Sequence, residues 1–239
     1  MPTQTILKSI VAHLARRDAP VDAKEVAESI EFYLRSGKRL LGAASRVLAN
    51  QRRGPEEDGD RVVTVYDLCA GHGLTGLLFA ACNPPGRRAD TRTRAVLVDR
   101  VEPPSHAALR DCVAEVCPWV AAAASFDATP LEDFAPAEDG AAARRASVVV
   151  ATHACGALTD RALEHAVGIG AAAVAAMPCC YTGTDGGAPY GVRRLLGPGL
   201  AADVRRSFYL QERGYLADFA AIPRAVTPMN RILVAERRQ

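Results

Sequence analysis

Hydrophobic and polar positions follow two different patterns along this chain. Before residue 51 the apolar positions recur every three to four residues, which predicts amphipathic helices over 4–17 and 22–50. Asp22 precedes the second helix and is expected to cap its amino end. The polar stretch 51–60, with its glycines and proline, then indicates a linker.

After the linker, short apolar runs alternate with helical segments. Because strand–helix alternation continues through the fifth run, it predicts a parallel sheet with right-handed crossovers. The loop before the last run is too short for a parallel crossover, so the final two strands are expected to form an antiparallel hairpin. Strands are predicted at 61–67, 94–100, 119–128, 146–154, 171–180, 215–223 and 230–237, and helices at 75–82, 106–116, 158–167, 191–197 and 203–214.

The composition fits one α/β-sized domain with a small appendage. The 239 residues are 49% hydrophobic and 23% charged, enough to bury a core without metal or disulfides. No apolar run approaches the roughly 20 residues of a membrane span, and no signal peptide is expected. Residues 1–17 are basic, as a transit segment would be. Their apolar residues share one helical face, which favours an amphipathic helix instead. Seven irregularly spaced cysteines predict reduced thiols and a cytoplasmic protein.

The stretch VYDLCAGHGLTG at 65–76 places an acid at a strand end and a glycine loop behind it. A triphosphate-binding loop needs a lysine, and no lysine follows Lys38, which excludes that class of ligand. GHGLTG fits a dinucleotide fingerprint, with Asp99 near the spacing of a ribose-binding acid. Against that ligand, Asp67 stands where a diphosphate would approach, and the sheet ends in a hairpin.

Together these features resemble class I S-adenosylmethionine-dependent methyltransferases over residues 61–239. DLCAGHG matches their first motif, in which Asp67 would lie beside the ammonium group of a ligand that has no phosphate. Asp99 in VLVDR matches the acid that holds the ribose hydroxyls, and Asp127 in SFDAT matches the group that contacts the adenine. The resemblance implies these cofactor contacts: Asp67, Cys69, Ala70, Gly71, Gly73, Asp99, Arg100, Asp127 and Ala128.

The same resemblance implies the architecture. We expect a Rossmann-like α/β fold with a seven-stranded methyltransferase sheet and a terminal antiparallel hairpin. A small N-terminal helical cap with its linker would occupy 1–55, and the methyltransferase domain would occupy 56–239. The cofactor would be S-adenosyl-L-methionine.

Two further strand ends are expected to face the substrate, THACG at 152–156 and MPCCY at 177–181. They resemble a methyltransferase subgroup with His-Ala-Cys-Gly after strand four and Pro-Cys-Cys after strand five. Some of its members are tRNA ribose 2′-O-methyltransferases, which carry a zinc-binding module and a histidine after the two cysteines. Here Tyr181 takes that place, and no N-terminal Cys/His cluster occurs.

Several chemistries fit these strand ends. His153 is the favoured base for direct transfer to an oriented acceptor, with Cys179 and Tyr181 shaping the site. A cysteine nucleophile at Cys179 or Cys180, activated by His153, is an alternative. A metal held by these cysteines and histidine with Cys155 is another, but C-x-x-C pairs are missing and no metal is predicted. The stretch NPP at 83–85 is expected to form only a turn, and because no lysine follows Lys38, a lysine-based ribose methyltransferase site is excluded.

Charge bears on the acceptor. Residues 1–53 carry ten basic and five acidic residues, and 141–239 carry twelve and seven, whereas 54–140 are acidic. Basic flanks on the substrate side favour an anionic acceptor, RNA before a small molecule or protein. A catalytically inactive protein that binds cofactor or partner stays open, as does the oligomeric state.

Overall fold

Seven helices and seven strands follow one another in the residues that the computed structural model describes, which are 1–51, 61–86, 91–136, 144–183 and 188–238. The predicted linker at 51–60 lies outside these residues except for Gln51. The elements are α1 (Thr3–Arg16), α2 (Ala23–Asn50), β1 (Arg61–Leu68), α3 (Leu74–Ala81), β2 (Thr91–Asp99), α4 (Pro104–Val116), α5 (Val120–Ala123), β3 (Ala124–Ala128), β4 (Arg144–Thr152), α6 (Ala157–Gly168), β5 (Ala173–Met177), α7 (Tyr190–Glu212), β6 (Tyr215–Ala221) and β7 (Arg231–Arg237).

The strands form one sheet in the order β3-β2-β1-β4-β5-β7-β6. Strands β1 to β5 run parallel to one another, while β7 pairs antiparallel with both β5 and β6. The predicted α/β fold, seven-stranded sheet and terminal antiparallel hairpin are therefore confirmed. The chain moves outward from β1 in both directions, which makes the carboxyl ends of β1 and β4 the switch point where ligands bind in open α/β sheets.

The two N-terminal helices pack in the same core as one face of the sheet. Ile6, Ile10, Phe32 and Leu40 are almost fully buried there together with Val65 of β1. Asp22 caps α2 as predicted, because its carboxylate accepts from the Glu25 N–H at 2.7 Å. Within the described residues, no helix has both the length and the apolar character needed to cross a bilayer.

Three of the predicted elements that differ in extent do so for a clear local reason. The strand at 119–128 begins instead as α5, since alanine strongly favours helix and the Trp119 indole donates to the Ala80 carbonyl at 3.2 Å. The strand at 171–180 ends at Met177, because Pro178 has no N–H for the ladder. The helical pieces 191–197 and 203–214 join in α7, which breaks at Gly197 with φ 75°.

Candidate cofactor cleft and active site

The glycine loop between β1 and α3 is shaped by left-handed backbone. Cys69, Gly71 and Gly73 have φ of 59°, 54° and 80°. A Cβ at Gly73 would lie 1.8 Å from the Leu97 Cδ2, so this position requires glycine for both backbone and space. A Cβ at Gly71 would meet no atom within 4 Å, because that glycine faces open space. The loop therefore presents bare backbone to whatever lies beyond it.

Asp67 stabilises this loop from behind. Its carboxylate is fully buried, and Oδ2 accepts from the Gly76 N–H at 2.7 Å in the first turn of α3. Oδ1 is buried without a hydrogen-bond partner among the described residues. Burial raises the pKa of Asp67 to about 7, against the opposing effect of the Gly76 bond. Asp67 therefore ties the end of β1 to the first turn of α3, across the glycine loop.

Asp99 lies at the end of β2, on the open side of the loop. Its Oδ2 accepts from the Gly71 N–H at 2.9 Å, and its Oδ1 accepts from the Arg100 N–H at 2.8 Å. A cleft of about 340 Å³ begins here and extends across the carboxyl ends of β1, β2 and β4. Its lining residues are Cys69, Gly71, Val98, Asp99, Arg100, Leu131, Glu132, His153, Cys155 and Leu158.

The cleft brings together part of the predicted site. Of the expected cofactor contacts, Cys69, Gly71, Asp99 and Arg100 line it, as does the predicted base His153. The remaining predicted residues lie outside the lining. Ala70 donates its N–H to the Val98 carbonyl at 3.1 Å, and Asp127 and Ala128 end the neighbouring strand β3, where the Thr129 hydroxyl donates to Asp127.

The thiol of Cys69, in the cleft lining, is a weak nucleophile. Burial raises its pKa to about 12, and the nearby carboxylates of Asp99 and Asp67 act in the same direction. A thiol protonated at neutral pH is a poor nucleophile. Cys69 therefore contributes to the shape of the cleft and not to its reactivity.

His153 faces an acid that the sequence pattern did not reveal. Its ring Nε2 lies 3.6 Å from the Glu28 Oε2 of α2, and the Glu28 residue is only 5% exposed. The Lys24 Nζ lies 3.5 Å from the other carboxylate oxygen. His153 itself has φ 65°, and its N–H donates to the Met177 carbonyl at 3.2 Å. At 3.6 Å this pair is longer than a hydrogen bond, and Nε2 has no hydrogen-bond partner among the described residues, so Glu28 is a nearby carboxylate rather than a bonded one.

Glu28 could have been recognised from its spacing. It precedes Phe32 and Ser36 by one and two helical turns, so a carboxylate falls within the buried stripe of α2. The same helix also approaches the glycine loop, where the Glu25 Oε2 lies 3.8 Å from the His72 Nε2. The N-terminal cap therefore contributes polar groups to the edge of the cleft.

Tyr181 lies in a buried ionic network beside the cleft. Its hydroxyl donates to the Asp203 Oδ2 at 2.6 Å, and Arg231 donates to both groups at 3.1 and 2.8 Å. Burial and the bond to Asp203 raise the pKa of the Tyr181 phenol. At neutral pH the phenol is a hydrogen-bond donor that anchors the segment after β5 to α7.

Arg206 connects the same network to the segment after β4. Its side chain is 1% exposed, donates to the Gly156 carbonyl at 3.0 Å, and pairs with Asp160 and Asp203. Sequence inspection missed it, although its position in phase with Ala202 and Leu210 placed an arginine on the buried face of α7. The network holds the segments after β4 and β5 against α7.

Cys155 and Cys179 are joined by a disulfide in the structure. The prediction of seven reduced thiols is therefore wrong for this pair, because the segments after β4 and β5 bring two distant cysteines together. Cys180 lies beside them and forms no disulfide, and neither do Cys69, Cys82, Cys112 and Cys117.

A second cavity, of about 470 Å³, lies between α1 and α2. It is larger than the cleft but mostly apolar, with Val11, Val26 and Ile30 in its lining. Because the glycine loop, Asp99 and His153 all lie at the smaller cleft, we assign the chemistry to the smaller cleft.

Comparison with known proteins gives the family of the chain. A family model described as a methyltransferase domain matches residues 41–185, which include β1 to β5 and the cleft. No curated protein matches the chain. A solved structure from Listeria monocytogenes, of a proposed class I S-adenosylmethionine-dependent methyltransferase, aligns with a TM-score of 0.53 and 11% identity, over 100% of this chain and 69% of that one.

Two less similar solved structures are described as rRNA methylases. A proposed one from Clostridium thermocellum aligns with a TM-score of 0.48 and 10% identity, over 76% of this chain and 89% of that one. One from Streptococcus thermophilus aligns with a TM-score of 0.43 and 11% identity, over 83% and 95%. At 11% identity the Listeria monocytogenes structure supports the fold alone, while the family model covers more than half of the chain. This chain therefore belongs to the methyltransferase domain family.

Proposed function

We propose that the protein transfers the methyl group of S-adenosyl-L-methionine to an anionic acceptor. The observation that carries the proposal is the cleft at the switch point, where the bare backbone at Gly71 and the carboxylate of Asp99 share one wall. Its volume of about 340 Å³ is in the range of small-molecule sites. The bound cofactor would supply an electrophilic methyl group on its sulfonium.

The residues present fit such a cofactor. The Asp99 carboxylate uses one acceptor position of each oxygen on backbone N–H groups, and a carboxylate offers about four positions. Two positions remain for the vicinal hydroxyls of a ribose. The open space at Gly71 leaves room for a ligand that a side chain would displace. We assign adenine contact to Asp127 and Ala128, at the end of the adjacent strand β3.

On the acceptor side, we assign His153 the role of base. Glu28 lies close enough to stabilise the positive charge of the imidazole after it takes a proton from the acceptor. Tyr181 and Cys179 would shape the same wall, and the cap formed by residues 1–55 would serve the acceptor through α2. Holding an acceptor in line with the methyl group supplies the remaining acceleration.

We favour RNA as the acceptor, as in some members of the subgroup whose strand-end motifs this chain resembles. The segment that begins α7 follows the segment after β5 and carries Tyr190, which is 71% exposed, together with the exposed Arg194. An exposed aromatic ring beside arginine can stack on an unpaired base while the arginine neutralises a phosphate. A small-molecule or protein acceptor is the second candidate.

Calorimetry tests the cofactor assignment. The purified protein should bind S-adenosylmethionine and S-adenosylhomocysteine, and neither NADH nor ATP. Binding of NADH without S-adenosylhomocysteine would overturn it. Incubation with methyl-labelled cofactor and separate RNA, protein and metabolite fractions then identifies the acceptor, and label confined to the protein or metabolite fraction would contradict RNA.

A further inference from the structure

Three cysteine sulfurs meet beside the cleft. The Sγ atoms of Cys155, Cys179 and Cys180 all lie within 4.8 Å of one another. Cys155 lines the cleft and belongs to the segment after β4, whereas the other two follow β5. A disulfide uses only two sulfurs, so the bond between Cys155 and Cys179 does not account for the third.

The backbone holds this cluster together independently of the disulfide. The His153 N–H donates to the Met177 carbonyl at 3.2 Å, and the Gly156 N–H donates to the Cys180 carbonyl at 3.4 Å. At Gly156 a Cβ would lie 2.0 Å from the Thr182 carbonyl oxygen, so the two segments are in close contact. The buried Arg206 also donates to the Gly156 carbonyl. Breaking the sulfur–sulfur bond therefore leaves three thiols in proximity.

We propose that the reduced thiols of Cys155, Cys179 and Cys180 form a site for one thiophilic metal ion, Zn²⁺ among those commonly available. Thiolates prefer soft and borderline ions. Zinc–sulfur bonds of about 2.3 Å in a tetrahedral site place sulfurs roughly 3.8 Å apart, which fits within the observed spacing. Three protein ligands leave a fourth position for water or another donor.

Metal binding at this site requires the disulfide to be reduced first. A phosphine reductant with one water supplies two electrons and two protons to the Cys155–Cys179 bond, and the phosphine leaves as its oxide. Zinc then replaces the thiol protons, which pass to solvent. The site is inferred from the cysteine cluster alone and does not depend on methyl transfer.

The test uses the full chain, reduced and then freed of reductant without air. Titration with Zn²⁺ against a chromophoric chelator should show one tightly bound ion per chain, and Co²⁺ should give a sulfur-to-metal charge-transfer band. Cys180→Ser should weaken zinc binding at least about tenfold, since even the outer partners of metal ligands contribute about 10–100-fold. Cys112→Ala, on α4, is the matched control and should retain zinc, and circular dichroism should show that both variants fold.

Two results would overturn the proposal. One is a reduced, folded wild-type chain that binds no zinc. The other is a Cys180→Ser variant with wild-type zinc affinity. If mass spectrometry also finds the Cys155–Cys179 pair oxidised in air, the cluster is a redox pair with an adjacent thiol rather than a metal site.

Discussion

Replacement of Asp99 by alanine should weaken cofactor binding without unfolding the protein. The carboxylate is half-buried at the end of β2 and lines the cleft, so its removal leaves no large hole in the core. Its known bonds are to two backbone N–H groups, those of Gly71 and Arg100, at 2.9 and 2.8 Å. Both donors lie at the cleft edge, where water can replace the carboxylate.

The size of the effect follows from the bonds to the ribose. A hydrogen bond to a charged group contributes about 1.5–3 kcal/mol, and each 1.4 kcal/mol is tenfold in affinity. Loss of one such bond weakens binding roughly tenfold to 150-fold, and loss of both weakens it further. Calorimetric titration with S-adenosylhomocysteine measures the change. Asp99→Asn should be milder, because the amide oxygen still accepts one bond.

The matched control is Asp111→Ala. Asp111 is an exposed acid on α4 whose ion pair with Arg110 spans 3.3 Å, so its loss should leave both affinity and folding unchanged. A folded Asp99→Ala variant with wild-type affinity would refute the assignment of the ribose to this carboxylate. Equal weakening in both variants would show instead a general effect of negative charge.

Three other predictions concern the loop and the base. Gly73→Ala should lower the free energy of unfolding, measured by urea titration, by more than Gly214→Ala does. Both glycines have φ near +80°, but of the two only Gly73 is crowded by a neighbouring side chain, so equal losses would contradict the steric argument. Burial raises the pKa of Asp67 from 3.8 to about 7, so its contribution to stability is fully present below about pH 4 and is lost, by up to roughly 4 kcal/mol, as pH rises from 4 to 7. The difference in unfolding free energy between wild type and Asp67→Asn should therefore change across that range, and a constant difference would argue against it. His153→Ala should reduce turnover about 10²–10⁴-fold with cofactor affinity unchanged, and Glu28→Gln should reduce it less because it removes only a neighbouring charge. Near-normal turnover in His153→Ala would leave the ring a structural role.

The sheet could be predicted because its strands are local patterns. Runs such as RVVTVYD and NRILVAER contain enough β-branched and apolar residues to mark strands without tertiary context. The short final connection determined the antiparallel hairpin. The strand predicted at 119–128 was wrong in its first half, because a run of alanines shows no hydrophobic periodicity. The contact of Trp119 with α3 determines the conformation there.

Four of the nine expected cofactor contacts line the cleft, whereas the acid beside His153 was not predicted. Gly71 and Asp99 follow strand ends directly, and strand ends of a parallel sheet share one edge. The pairing of His153 with Glu28, by contrast, joins residues 125 positions apart through a helix whose docking no local pattern specifies. The meeting of Cys155 with Cys179 and Cys180 likewise depends on how two neighbouring segments turn after their strands.

The structure of the protein crystallised with S-adenosylhomocysteine tests the central claim most directly. The account predicts the nucleoside in the cleft, with its ribose hydroxyls within hydrogen-bond distance of the Asp99 carboxylate and its sulfur directed toward His153. A nucleoside bound in the apolar cavity between α1 and α2, or in the cleft with no contact between ribose and Asp99, would contradict it.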